Sequence, residues 1–193
     1  MPAGDPRRAT LEVEGWTVTA RSFGAQLDAE GIDTDRLRTL VSGIGEGVVL
    51  RPLRSSDLRA VLALDRATAG DYPGSVATQH EPLTVELATP SATRRGFGAV
   101  DGDGELVGMT WVDVDVAAVE IDFTVVRGDR RQRGIGVALK ASSVLALQAE
   151  GVRRFRTGGS ADNAAILRAN AVLGYVCDEE WVTLELGRSA LDR

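Results

Sequence analysis

Apolar positions along the chain fall into two repeating patterns, strand-like alternation and helical spacing, and these divide it into short elements. Residues 16–23 set Trp16, Val18 and Ala20 against Thr17, Thr19 and Arg21, which predicts a strand, and residues 32–41 suit a short helix opening at Asp33 or Thr34. The glycine-rich stretch 43–47 divides the chain into an N-terminal extension, residues 1–45, and a main domain, residues 46–193. Residues 48–53 read as a strand, Ser55-Ser56-Asp57 as the cap of a helix carrying Leu58, Val61, Leu62 and Leu64, and Asp71-Tyr72-Pro73-Gly74 as a turn. The stretch 75–92 is ambiguous, with a short helix around 82–87 as one reading. Asp101-Gly102-Asp103-Gly104 predicts a hairpin between strands at 96–100 and 106–112. A long strand at 116–126, a helix at 134–151, a strand at 152–157, a helix at 162–173 closed by Gly174 and a last strand at 181–186 follow. Residues 1–9, polar and proline-containing, read as a loose terminus. The order implies a mixed α/β fold with a largely antiparallel first half.

Composition narrows the chemistry. Hydrophobic content of 44% and charged content of 26% are globular values, and no apolar run approaches the length of a membrane helix. The beginning lacks the apolar core of a secretory signal, so a soluble cytoplasmic protein is expected. One cysteine, Cys177, and one histidine, His80, exclude an intramolecular disulfide, a thiolate cluster and a zinc site built on two histidines. No metal is expected. A net charge of −6 disfavours general nucleic-acid binding. Against that background Arg127, Arg130, Arg131 and Arg133 form a basic knot that asks for an anionic partner.

The knot lies in Thr124-Val125-Val126-Arg127-Gly128-Asp129-Arg130-Arg131-Gln132-Arg133-Gly134-Ile135-Gly136, where a strand enters a turn and a helix starts at once. First-turn amides lack intrahelical acceptors and carry the positive end of the dipole, so they suit a phosphate, while Gly134 and Gly136 let an anion come close. The segment is neither a Walker A loop nor a dinucleotide fingerprint. Arg131-Gln132-Arg133-Gly134-Ile135-Gly136 resembles motif A of the GNAT superfamily of N-acetyltransferases. The helix from Asn163 through Asn170 to Leu173-Gly174-Tyr175 resembles motif B, and the likeness spans about residues 46–187.

The resemblance implies a mostly antiparallel central sheet flanked by helices and splayed between the fourth and fifth strands of the unit beginning at 46. That unit would bind acetyl-CoA or another acyl-CoA as co-substrate and acylate a small-molecule or peptide amine. Pantetheine would pair with the backbone near Thr124, Val125 and Val126, and the pyrophosphate would take amides from Arg131, Gln132, Arg133, Gly134, Ile135 and Gly136. Asn163 would lie near pantetheine, though helix capping explains it equally well. Asn170 stands where many members carry a tyrosine acid; an amide is no acid, and Tyr175 is the nearest substitute. A role for residues 1–45 as an added strand or a homodimer contact stays open.

For a base, the alternation of Glu120, Asp122 and Thr124 with Ile121, Phe123 and Val125 predicts two neighbouring carboxylates on one polar face, which Asp113 and Asp115 extend. Glu120, then Asp122, are the candidates; the pattern equally suits a solvent-washed face. Cys177, Trp181 and Trp111 read as core or sheet packing, and His80 as surface or a substrate contact. A catalytically inactive acyl-CoA sensor is the alternative function, and a nucleotide-phosphate binder a third.

Overall fold

A computed structural model of the chain describes residues 1–71, 81–115 and 118–187. The strands are β1 Trp16–Asp28, β2 Val48–Pro52, β3 Arg94–Asp101, β4 Leu106–Val114, β5 Val119–Val126, β6 Arg154–Ser160 and β7 Val176–Leu186. The helices are α1 Arg7–Val13, α2 Thr34–Ser42, α3 Leu58–Thr68, α4 Ile135–Ala149 and α5 Ala164–Leu173. Seven strands form one sheet in the order β2-β3-β4-β5-β6-β1-β7, antiparallel throughout except for the β5–β6 pair.

Two apolar layers sandwich this sheet. Leu37 of α2, Ile135, Leu139 and Leu147 of α4 and Leu173 of α5 pack with Phe97, Val112, Ile121 and Phe155 on one face. Val61 and Leu64 of α3 pack with Met109, Trp111, Phe123 and Val125 on the other. Each such side chain, fully buried, contributes roughly 1.5–3 kcal/mol. α4 is covered by the sheet and by α2 and α5, which explains why its apolar residues run almost all round it.

Residues 1–45 add a strand to the sheet and a helix, α2, packed on α4. β1 is 13 residues long and lies between β6 and β7, with Phe23, Ala25 and Leu27 buried. The alternation was legible only to Phe23 because Gly24 interrupts it. A Cβ there would lie 3.0 Å from Glu179 Oε2 and 3.3 Å from Arg156 Nη2, and a β-bulge follows. The terminus is ordered too: α1 forms, and the Ala3 N–H donates to Glu180 O. The helix read around 82–87 is a series of turns, with Ala88 N–H donating to Thr84 O at 2.9 Å. The turn at 72–74 and His80 lie outside the described residues. Cys177 is exposed and Trp181 is 41% exposed, because β7 is an edge strand rather than a core strand; Trp111 is fully buried.

Candidate functional site

β5 and β6 pair only at Val119–Phe155, Glu120–Arg156 and Ile121–Thr157. Beyond that point β5 keeps β4 as far as Val126–Gly108, and β6 keeps β1 as far as Ser160–Ser22. Each strand is held on its outer side and released on its inner side, so the sheet opens into a V. Around it lies a cavity of about 970 Å³ that reaches from Glu120 and Asp122 to Gly134, Gly136, Lys140 and Asn163. That size suits a ligand that buries most of its surface.

The free edge of β5 can be read from its hydrogen bonds. Arg127 N–H donates to Val107 O on β4, so the N–H and C=O of the preceding residue, Val126, turn toward the gap. Strand alternation turns the backbone of Thr124 the same way and that of Val125 toward β4, where its carbonyl lies against Gly108. An extended ligand strand in the gap would therefore meet Thr124 and Val126, not Val125. The Val126 carbonyl is taken by Arg131 Nε at 2.9 Å.

α4 begins without a cap. Gly134, at φ 77°, offers no side-chain acceptor, and Ala138 N–H to Gly134 O is the first bond that reaches back to it, which leaves the amides of Ile135, Gly136 and Val137 without intrahelical acceptors. Gln132, at φ 61°, is the one non-glycine described residue in left-handed backbone. The arginines around this turn are largely engaged with carboxylates. Arg127 holds Asp129 and Glu105, Arg130 holds Asp101 at 2.8 Å, and Arg131 pairs with Asp71. Arg133 faces a separate hollow of about 250 Å³ lined by Glu46, Val48, Asp101 and Asp103. The backbone N–H groups at this turn are thus the unengaged donors, with Arg131 beside them on the cavity wall and Arg133 at the separate hollow.

The expected single polar face of β5 is also corrected. The register with β4 steps from Trp111–Phe123 to Val112–Ile121, leaving Asp122 in a β-bulge. Val119 and Ile121 consequently pack toward α4, whereas Phe123 and Val125 pack toward α3. Arg94, which lies 5.4 Å over Trp111, donates to Asp113 and Asp122, each at 2.6 Å. Glu120 lines the same cavity and holds no hydrogen bond or ion pair among the described residues. Its cross-strand neighbour Arg156 is turned to Glu179, at 2.6 Å, and Asp178.

On the α4 side, Asn163 lines the cavity and also caps α5, its Oδ1 accepting from Ile166 N–H at 3.1 Å. Asn170 is 3% exposed, beneath the cavity wall, and accepts from Lys140 Nζ at 2.5 Å. Tyr175 is buried away from the cavity; its hydroxyl has no partner, and burial pushes its pKa up. A substrate proton donor there is ruled against by position. Lys140, Arg94 and Asp71 were missed. A lone lysine between Leu139 and Ala141 on an apolar helix was the one available signal.

Among the described residues no group of three or more metal-binding side chains comes together, and no helix is long and apolar enough to cross a membrane. No protein-family model matches the chain. It is 28% identical to a mycothiol acetyltransferase of Streptomyces coelicolor over 137 residues, 69% of this chain and 44% of that protein. A mycothiol acetyltransferase of Clavibacter michiganensis is 28% identical over 160 residues, 75% of this chain and 52% of the relative. The chain thus spans about half the length of these curated relatives. Its structure is similar to a GCN5-related N-acetyltransferase from Sphaerobacter thermophilus, with a TM-score of 0.70, 20% identity and coverage of 95% of this chain and 57% of the other. It is also similar to a tandem GNAT protein from the clavulanic acid biosynthesis pathway, with a TM-score of 0.63, 25% identity and coverage of 95% and 59%.

Proposed function

We propose that this chain, a member of the GCN5-related N-acetyltransferase (GNAT) superfamily, transfers a short acyl group from acyl-coenzyme A directly to a primary amine. One observation carries the reading: the gap between β5 and β6 opens onto the uncapped start of α4. A thioester with an amide-bearing arm and a pyrophosphate suits that pair of features. The arm would pair in strand fashion with Thr124 and Val126, and the pyrophosphate would take the amides from Gln132 to Gly136. Arg131 would leave the Val126 carbonyl as the arm enters.

The acceptor would reach the thioester from the α3 side of the gap, beside Glu120. An alkyl amine near neutral pH carries a proton, since such groups titrate near 10.4. Glu120 is the base because its carboxylate is unengaged, whereas that of Asp122 is tied to Arg94. The freed amine attacks the carbonyl carbon, the nitrogen–carbon bond forms, the carbon–sulfur bond breaks with its electrons going to sulfur, and the nitrogen sheds its remaining surplus proton to water in the open gap.

Calorimetry with acetyl-CoA, followed by thiol release over a panel of primary amines, tests the reading. Micromolar binding and amine-dependent thiol release are expected. Binding with no release on any amine would replace the enzyme by an acyl-CoA sensor, and absence of binding would overturn both.

A further inference from the structure

The floor of the gap holds a charged group that the chemistry above leaves unused. Lys140 is the only lysine in the chain, is 2% exposed and lines the cavity. Its Nζ donates to Asn170 Oδ1 at 2.5 Å and to Thr157 Oγ1 at 3.2 Å, and lies 5.4 Å from the Tyr175 ring centroid. Thr157 is the last β6 residue paired with β5, so the ammonium sits at the vertex from which the two strands part.

No carboxylate pairs with it among the described residues. From β6 it meets Thr157, while Arg156 is held by Glu179. On β5 the neighbouring acids, Glu120 and Asp122, belong to the α3 side of the gap, with Asp122 bound to Arg94. From α5 it meets Asn170, with Arg168 further along the same cavity, and beyond α5 it meets Tyr175. On α4 itself, the Ser143 hydroxyl donates to the Lys140 backbone carbonyl rather than to the ammonium. A buried cation with neutral neighbours is costly to keep, and a merely structural position would favour an apolar residue.

We propose that Lys140 delivers the proton to the coenzyme A sulfur as the thioester breaks, a further catalytic residue that rests on the transfer reaction proposed above. The carbon–sulfur electron pair goes to sulfur, the Nζ proton follows it, and the neutral amine regains a proton from solvent through the cavity. Asn170 Oδ1 orients the donor. Burial supports the role, since it lowers the Lys140 pKa to about 7. An ordinary lysine near 10.4 would hold its proton against a thiolate whose conjugate acid is near 8.5, whereas this one gives it up downhill.

The single lysine makes the test clean. Protein carrying 13C at the lysine Cε shows one resonance, which is titrated alone, saturated with coenzyme A, and saturated with desulfo-coenzyme A. The midpoint is expected to differ by at least about half a pH unit between the two complexes, as only one presents a thiol to the amine. Equal midpoints with both ligands bound would overturn the proposal and leave the acyltransferase reading intact. Failure of both ligands to bind would sink that reading, and the proposal with it. In a turnover assay K140M should keep its acetyl-CoA KM within about threefold while kcat falls by about tenfold or more, and K140R should not restore the rate. Unchanged kcat in K140M would equally overturn the assignment.

Discussion

The two sides of the β5–β6 gap solve the problem of placing charge in opposite ways. On the α3 side the carboxylates stay near solvent, and Arg94 neutralises Asp113 and Asp122 while Glu120 stands unpaired. On the α4 side a single cation is sealed in, given amide and hydroxyl partners, and adjusted by burial instead of by a counter-ion. The exposed carboxylates there cost little, because solvent screens them; the buried cation costs much and changes its acidity accordingly. In the proposed transfer, acid and base work at one thioester would benefit from that separation, since the two groups could not neutralise each other.

The comparison breaks most sharply at Glu120. E120Q keeps the shape of the α3-side wall and removes the carboxylate that, among the described residues lining the gap, holds no hydrogen bond or ion pair. We expect kcat to fall by about 100-fold or more with the KM for acyl-CoA within about twofold, and the acid limb of the pH–rate profile to disappear. Steady-state kinetics across pH checks this, and an unchanged profile removes Glu120 as the base.

Lys140 gives the next largest effect, on stability. Its folded pKa of about 7 lies below the unfolded value near 10.4, so the unfolded chain binds the extra proton between those limits. The burial penalty is therefore complete below about pH 7 and vanishes as pH rises toward 10.4. K140M should be more stable than the parent at pH 6.5, on the order of 2–4 kcal/mol, and the difference should shrink by pH 9.5. Urea unfolding of both proteins at the two pH values measures it; a difference that stays constant with pH would mean that the amine titrates normally.

The same contrast separates what sequence could and could not reveal. The start of α4 was legible because its signal is local: Gly134, Gly136 and the strand before them determine where the backbone amides point, whatever surrounds them. The extent of β1 was not, since its second half is buried only because β6 and β7 flank it. The two-faced pattern of β5 misled for a similar reason: one bulged residue, Asp122, reverses the facing of all that follows, and a bulge is set by the partner strand. The ion pairs of the basic knot were not legible either, because charge counts do not disclose partners such as Asp71. Lys140 could be seen in the sequence, but its contact with Asn170, thirty residues away, could not.

A smaller effect is expected at Asn163, which faces the gap while capping α5. N163A should cost about 1 kcal/mol through the lost bond to Ile166 N–H, lowering Tm by about 2–4 °C. If the side chain only caps, acetyl-CoA affinity stays within about twofold in calorimetry; a larger loss would show that the amide also touches the ligand.

The smallest effect should come from Asp122, and it sharpens the comparison within one face. D122N removes one of the two carboxylates on Arg94, yet the guanidinium keeps Asp113, the Leu87 carbonyl and its stacking on Trp111. Asp122 is 33% exposed, so the lost pair should cost no more than about 1 kcal/mol. Turnover should fall less than about threefold, against about 100-fold for E120Q, because the Asp122 oxygen held by Arg94 is not free to reach the amine. Equal losses in the two variants would mean that Glu120 and Asp122 act as one unit, and that the Arg94 pair opens when the amine arrives.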